Sequence, residues 1–297
     1  MTMIMRTDMD TLITPKSEGA ALRVSHLRAT FGTYGGQTRL EAKFHNAPIK
    51  IAKAFPLGGP LGVIVMDVSP GLLEGDCYDM AWNVQEGAHV YVTNQSYTKV
   101  HPSSLNTPLG SRLNQRFVLG EQAVVESMPE PVMLYKDALF AADTRVELAP
   151  GAVWMQAEVL CPGRTLRGEL FHYQQYRSKL QVLLDGELIF AQNQRIVPAD
   201  QMLSAPGCLA EMTHTGVFYA FSDRLASRHI EAVRQAIEAW PGRPGQQVSA
   251  GVTATHKHGL AVMAAGTTAW ALQEVLAVAW GALRQELLGL APLKFSK

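Results

Sequence analysis

Three short segments place charged or metal-binding side chains close enough to act together. The stretch Pro70-Gly71-Leu72-Leu73-Glu74-Gly75-Asp76 forms turns readily and sets two carboxylates, Glu74 and Asp76, two residues apart. Facing the same way, they would attract a hard or borderline cation; alternatively, an Asp in such a turn bonds its own backbone. In the second segment, Glu158 sits on a strand-like run ending at Cys161-Pro162-Gly163-Arg164. The thiol next to that turn is either a ligand or a small apolar filler. The third is His256-Lys257-His258, whose imidazoles would project to one side of an extended segment, as metal binding requires. A loop or helix would disperse them.

No familiar catalytic frame surrounds these residues. The chain has no Gly-x-Ser-x-Gly, His-Glu-x-x-His, Walker loop or strand-to-helix Gly-x-Gly-x-x-Gly. The remaining enzymatic alternative is a β-rich hydrolase or isomerase using Glu158, Asp76 or a histidine as base. With 26 Lys+Arg against 26 Asp+Glu, the composition gives no overall basic excess, which argues against nucleic acid and anionic membranes as partners. Three widely spaced cysteines, Cys77, Cys161 and Cys208, form no Cys-x-x-Cys pair and suit a reducing cytoplasm. The apolar stretch 261–280 is interrupted by Gly266, Thr267, Thr268, Gln273 and Glu274, and reads as a buried helix, not a membrane span.

The elements that must position these residues are mostly strands. Over 21–221, short runs rich in Val, Ile, Leu, Phe and Tyr alternate with Gly, Pro, Asn and Asp. A motif of apolar residue, polar turn, small pair and apolar strand recurs at Val84–Val90, Leu119–Val125 and Leu148–Trp154, at intervals of about 30 to 35 residues. This predicts an all-β-dominated fold with strands stacked in a β-helix-like solenoid. Residues 222–297 read as mixed, with two C-terminal α-helices, the whole of 21–297 forming one domain behind a mobile tail at 1–20. Ala226, Ile230, Val233, Ile237 and Trp240 mark one helix face, with Ser222-Asp223 as its expected N-cap. The last helix spans 268–288 and ends at Gly289. It is apolar on more than one side, with Trp270 and Trp280 off its main stripe, so it is either central to the core or shared with a partner.

Taken in order, several segments resemble the urease accessory protein D family, called H in some bacteria. They are Gly36-Gln37-Thr38-Arg39-Leu40 with Pro48–Phe55, the Glu74-Gly75-Asp76 turn, and Glu86-Gly87-Ala88 running to Thr98-Lys99. Glu126-Ser127-Met128-Pro129-Glu130, Cys161-Pro162-Gly163-Arg164 through Gly168-Glu169, and Trp280-Gly281-Ala282-Leu283-Arg284 complete the set. The chain departs from the family pattern at Glu74, at Val100-His101-Pro102-Ser103, at Gln192 and at Phe295.

The resemblance implies a non-catalytic chaperone that binds apo-urease and accessory proteins F and G. It further implies transient passage of nickel through the protein, with no tightly bound cofactor. Asp76, Glu74, Glu158, Thr98, Lys99 and Cys161 are then candidates for the nickel path. His256 and His258 are a weak metal pair, and Trp270, Trp280, Leu283 and Arg284 are candidate partner contacts.

Overall fold

The computed structural model describes residues 22–106, 108–242 and 244–293, so the tail expected at 1–20 and Phe295 lie outside the described residues. The chain opens with strands β1 (Arg23–Tyr34), β2 (Gln37–His45), β3 (Ile49–Pro56), β4 (Leu61–Asp67), β5 (Asp76–Val84) and β6 (His89–Asn94). Next come β7 (Thr98–Val100), β8 (Ser111–Leu119), β9 (Val124–Ser127), β10 (Val132–Leu134), β11 (Leu139–Leu148) and β12 (Val153–Cys161). The last part holds β13 (Gln175–Leu184), β14 (Glu187–Ile196), β15 (His214–Phe221), helix α1 (Ser227–Ala239), β16 (Val248–Ala254), β17 (Gly259–Gly266) and helix α2 (Ala269–Leu288).

These strands form two sheets. Sheet A has seven strands in the order β14-β13-β11-β8-β5-β1-β2; sheet B has ten, on the path β16-β17-β15-β12-β9-β6-β4-β3 with β10 and β7 joined through β12. Strands dominate as expected, but the β-helix-like solenoid does not hold, because both sheets are mixed. Parallel pairs such as β5–β8 and β6–β9 run through their middles. Antiparallel pairs end them: β1–β2, β13–β14 and β3–β4, and the β12–β15–β17–β16 run. The physical cause is local. Gly35-Gly36 and Asp185-Gly186 adopt positive φ at both positions, the geometry of tight two-residue hairpins, and reverse the chain where a uniform coil would continue.

The sequence repeat reports three equivalent turns. Each carries the chain from sheet A to sheet B, linking β5 to β6, β8 to β9 and β11 to β12. They also bond to one another, Gly87 N–H donating to the Glu121 carbonyl at 2.9 Å and Gln122 N–H to that of Pro150 at 3.2 Å.

Alternation along the strands builds the first core between the sheets. On β11, Phe140, Ala142, Val146 and Leu148 are buried, while Asp143, Arg145 and Glu147 retain exposure. Trp82 stacks on Phe117 within sheet A (6.2 Å), Phe117 meets Trp154 across the layers (5.9 Å), and Trp154 stacks on Phe221 within sheet B (6.2 Å). Strand β12 is largely buried on both faces because α2 covers its other side, where Val153, Met155, Val159 and Cys161 join Leu272, Leu276 and Leu283 in a second core. Helix α2 is apolar on more than one side because α1 packs on it as well.

Helix α1 starts at Ser227, not after Ser222-Asp223. The Asp223 carboxylate instead accepts the Gly151 N–H at 3.1 Å, holding the third inter-sheet turn. His229 Nδ1 accepts the Ala226 N–H at 2.9 Å in its place.

Candidate functional site

A cavity with about 120 Å³ of room for solvent lies between the sheets, enough for several waters. Sheet A contributes Tyr78, Trp82, Gln115, Phe140 and Thr144; sheet B contributes Asp67, Asn94, Ser127, Gln156 and Glu158. Exposed Asp67, Gln95 and Lys99 mark its opening, and buried Trp82, Phe140 and Gln156 line its interior. Two buried polar atoms of the wall, Gln156 Oε1 and Trp82 Nε1, have no protein hydrogen-bond partner among the described residues, so the interior favours water or another polar occupant.

Of the expected acids, Glu158 belongs to this cavity. Its place follows from strand parity: Trp154, Gln156 and Glu158 point between the sheets while Met155 and Cys161 point under α2. Burial raises its carboxyl pKa, an effect opposed by the Tyr176 hydroxyl, which donates to Oε1 at 2.6 Å. A carboxyl so held resists ionisation in the absence of a cation and gains from one.

Glu74 and Asp76 lock loops outside the cavity wall. Asp76 Oδ1 pairs with Arg23 Nε at 2.9 Å and Oδ2 accepts the Leu73 N–H at 2.8 Å. Glu74 Oε1 accepts the N–H groups of Ser104 and Leu109, both at 3.0 Å. The two carboxylates do not converge, because each is taken by a different loop.

Thr98 and Lys99 do line the cavity, on β7 near its opening. Cys161 does not. Burial pushes its thiol pKa up to about 12, so it is apolar filler under α2. His256 and His258 occupy the bend between β16 and β17, with His258 at φ 50°, and not an extended segment. Lys257 between them pairs with Glu187 at 2.5 Å. Among the described residues, no group of three or more His, Cys, Asp or Glu side chains is placed to hold a metal.

The structure also reveals an opening that the sequence did not mark. Asp67 Oδ1 accepts from Ser69 N–H (2.8 Å) and Oγ (2.6 Å), and Oδ2 accepts from the Tyr78 hydroxyl (2.8 Å). Burial, the largest cause, holds the Tyr78 hydroxyl protonated. The Asp67-Val68-Ser69 spacing is that of an Asx turn, the one local signal available. Glu130, also on the wall, accepts from Gln273 Nε2 of α2 at 3.0 Å.

Helix α2 is fixed by a buried cluster. Glu126, fully buried, accepts from His89 Nε2 (2.6 Å), Trp280 Nε1 (2.5 Å) and Arg284 Nε (3.0 Å). Trp280, Leu283 and Arg284 therefore lie inside the protein, and the side of α2 available to a partner carries Trp270, which is 36% exposed.

The Cys161-Pro162-Gly163-Arg164 to Glu169 motif is a closed loop. The Arg164 guanidinium pairs with the Glu169 carboxylate, and a side chain at Gly163 (φ 142°) would meet the Glu169 carbonyl oxygen at 2.2 Å. Gly163→Ala is expected to lower stability by about 1–3 kcal/mol, read from thermal melting; an unchanged melting temperature would contradict that packing.

Comparison with known sequences identifies the family. The profile of the UreD urease accessory protein family matches residues 23–295. Urease accessory protein UreD of Acetivibrio thermocellus is 30% identical over 81% of this chain and 90% of its own length. UreD of Haloarcula marismortui is 30% identical over 88% and 86%, and UreH of Helicobacter hepaticus 26% over 68% and 78%. Matched over nearly the whole span of its described strands and helices, the chain belongs to the UreD urease accessory protein family.

Proposed function

We propose that this protein is a non-catalytic chaperone that binds apo-urease together with accessory proteins F and G, and passes nickel toward the urease site through the cavity between its sheets. The observation that carries the reading is the acid-bearing interior, with Asp67 at the opening, Glu130 on the wall and Glu158 at depth. Oxygen ligands spaced along a wet channel bind a divalent ion weakly and in sequence, which suits transfer; a closed site of nitrogen and sulfur ligands would retain it. Nickel is cargo here and not a resident cofactor.

Three free cysteines, Cys77, Cys161 and Cys208, are consistent with a cytoplasmic location. No helix among the described residues is long and apolar enough to cross a membrane. The exposed Trp270 side of α2 is a candidate partner contact, and a surface of this kind predicts better solubility on coexpression with the F-type protein.

The test is activation in a host that expresses apo-urease with the F- and G-type proteins, with and without this chain. Omission is expected to leave urease largely without nickel while its subunits still assemble. Equal nickel content and activity without the chain would overturn the reading.

A further inference from the structure

The face of sheet A turned away from the cavity carries an ordered array of charge. Strand register places Arg28, Ala81, Arg116, Arg145 and Gln181 side by side in one row across β1, β5, β8, β11 and β13. A second row holds Arg112, Ala141, Arg177 and Arg195 across β8, β11, β13 and β14. Between them runs a row with His26, Asp79, Asn114, Asp143 and Lys179. With Glu147 of the next row, this face sets seven Lys and Arg side chains against three carboxylates, in a chain whose formal net charge is zero.

Folding does not call for this arrangement. Arg116 stands directly beside Arg145, and Arg177 opposite Arg195, at the strand spacing of about 4.8 Å, where like charges cost stability. Glu147 holds the first pair in place, accepting from Arg116 at 2.9 Å and Arg145 at 2.8 Å. Asp143 bonds Arg177 at 2.9 Å, and Asp79 pairs with Arg28. One carboxylate, Glu147, thus serves both Arg116 and Arg145, and these two exposed guanidinium groups keep donors that no acid engages. Both helices pack on sheet B, which leaves this face without a helical layer.

We infer that the outer face of sheet A is a docking surface for an acidic face of a folded protein of the urease assembly. The inference rests on the proposed function for the identity of that assembly. A second copy is disfavoured, since a two-fold contact would set this basic face against itself. Phosphate polymers are disfavoured as well, because Asp79, Asp143 and Glu147 stand among the arginines and repel a uniform polyanion, whereas a protein can place its own cations opposite them.

The test titrates purified apo-urease, the F-type protein and the G-type protein separately against the full chain, at about 50 and about 500 mM salt. Wild type is expected to bind at least one of them, more weakly at high salt. Arg116→Glu/Arg145→Glu/Arg195→Glu is expected to lose about tenfold or more at low salt, a gap that narrows at high salt, with its melting temperature retained. The neutral Arg→Gln trio should lose less, and serves as the reading if the reversed trio does not fold. Arg228→Glu, on exposed helix α1, should bind as wild type does.

Unchanged binding by both folded trios overturns the docking face and leaves the proposed function standing; failure of wild type to bind any of the three proteins overturns both. Equal binding of duplex DNA or anionic vesicles, lost in the trios, would assign the face to phosphate and overturn a protein partner. A difference between wild type and trios that vanishes when residues 1–21 are deleted would assign it to the chain's own start, and also overturn it.

Discussion

Replacing Glu126 with alanine is expected to lower the unfolding free energy by about 3–5 kcal/mol, a large fraction of the stability of an ordinary domain. The carboxylate is the shared acceptor for His89, Trp280 and Arg284, and Arg284 is only 3% exposed. Its removal leaves a guanidinium and an indole N–H inside the protein without their acceptor, at the contact of α2 with sheet B. Urea denaturation measures the loss. The double replacement Glu126→Leu/Arg284→Met is expected to recover much of it, because apolar side chains of similar volume remove both charges together.

The cluster also sets an acid limit. Burial alone would raise the Glu126 pKa, but the bonds and charges of His89, Arg284 and Trp280 outweigh it and hold the pKa below 4.5. A folded-state pKa below the unfolded one means that the stabilisation is complete above about pH 4.5 and is lost as pH falls through the folded value. Wild type should therefore lose stability more steeply in this range than the double variant. Parallel profiles would show that the ion pair contributes nothing there.

Glu158→Gln is expected to reduce the nickel content of activated urease to a small fraction of the wild-type level, while the complex still copurifies. The same substitution should raise thermal stability at neutral pH. The sign follows from the raised pKa: the unfolded chain ionises Glu158 near 4.5, the folded protein only at higher pH, so wild-type stability declines as pH rises through that interval and stays lower above it. Glutamine still offers an oxygen to the Tyr176 hydroxyl at no ionic cost. A stabilised variant that activates urease normally would remove Glu158 from the route. A destabilised one would show that the carboxylate is held charged by groups other than Tyr176.

What the sequence made legible was local. The strand at β12, the four-and-three spacing of α1 and the Gly289 end of α2 all rest on interactions within a few residues. The inward aim of Glu158 follows from strand parity only once β12 is placed between sheet A and α2. Long-range pairing was not legible. Arg164 and Glu169 close a loop that their motif displays, but Glu126 and Arg284 meet across 158 residues with nothing local to announce it. For the same reason Trp280, Leu283 and Arg284 looked like surface for a partner when they are surface for sheet B. The Glu74-Gly75-Asp76 turn misled in another way, since spacing gives proximity and not direction, and each carboxylate found its own backbone donors. The solenoid expectation read three equivalent turns correctly as a repeat, then extended that repeat over strands which the hairpins at Gly35-Gly36 and Asp185-Gly186 turn back.

Those three turns also govern how the chain can be made. Because β5, β8 and β11 join sheet A while β6, β9 and β12 join sheet B in strict alternation, neither sheet can be finished ahead of the other. A ribosome that has released the chain only through β9 holds a partial fold with two raw strand edges, one on each layer, each able to pair with a neighbouring chain. The layers are capped only when β14 and β16, far downstream, arrive at their margins. Synthesis therefore passes through a long interval of exposure, and slow translation between residues 127 and 266 should favour aggregation more than slowing within helix α2.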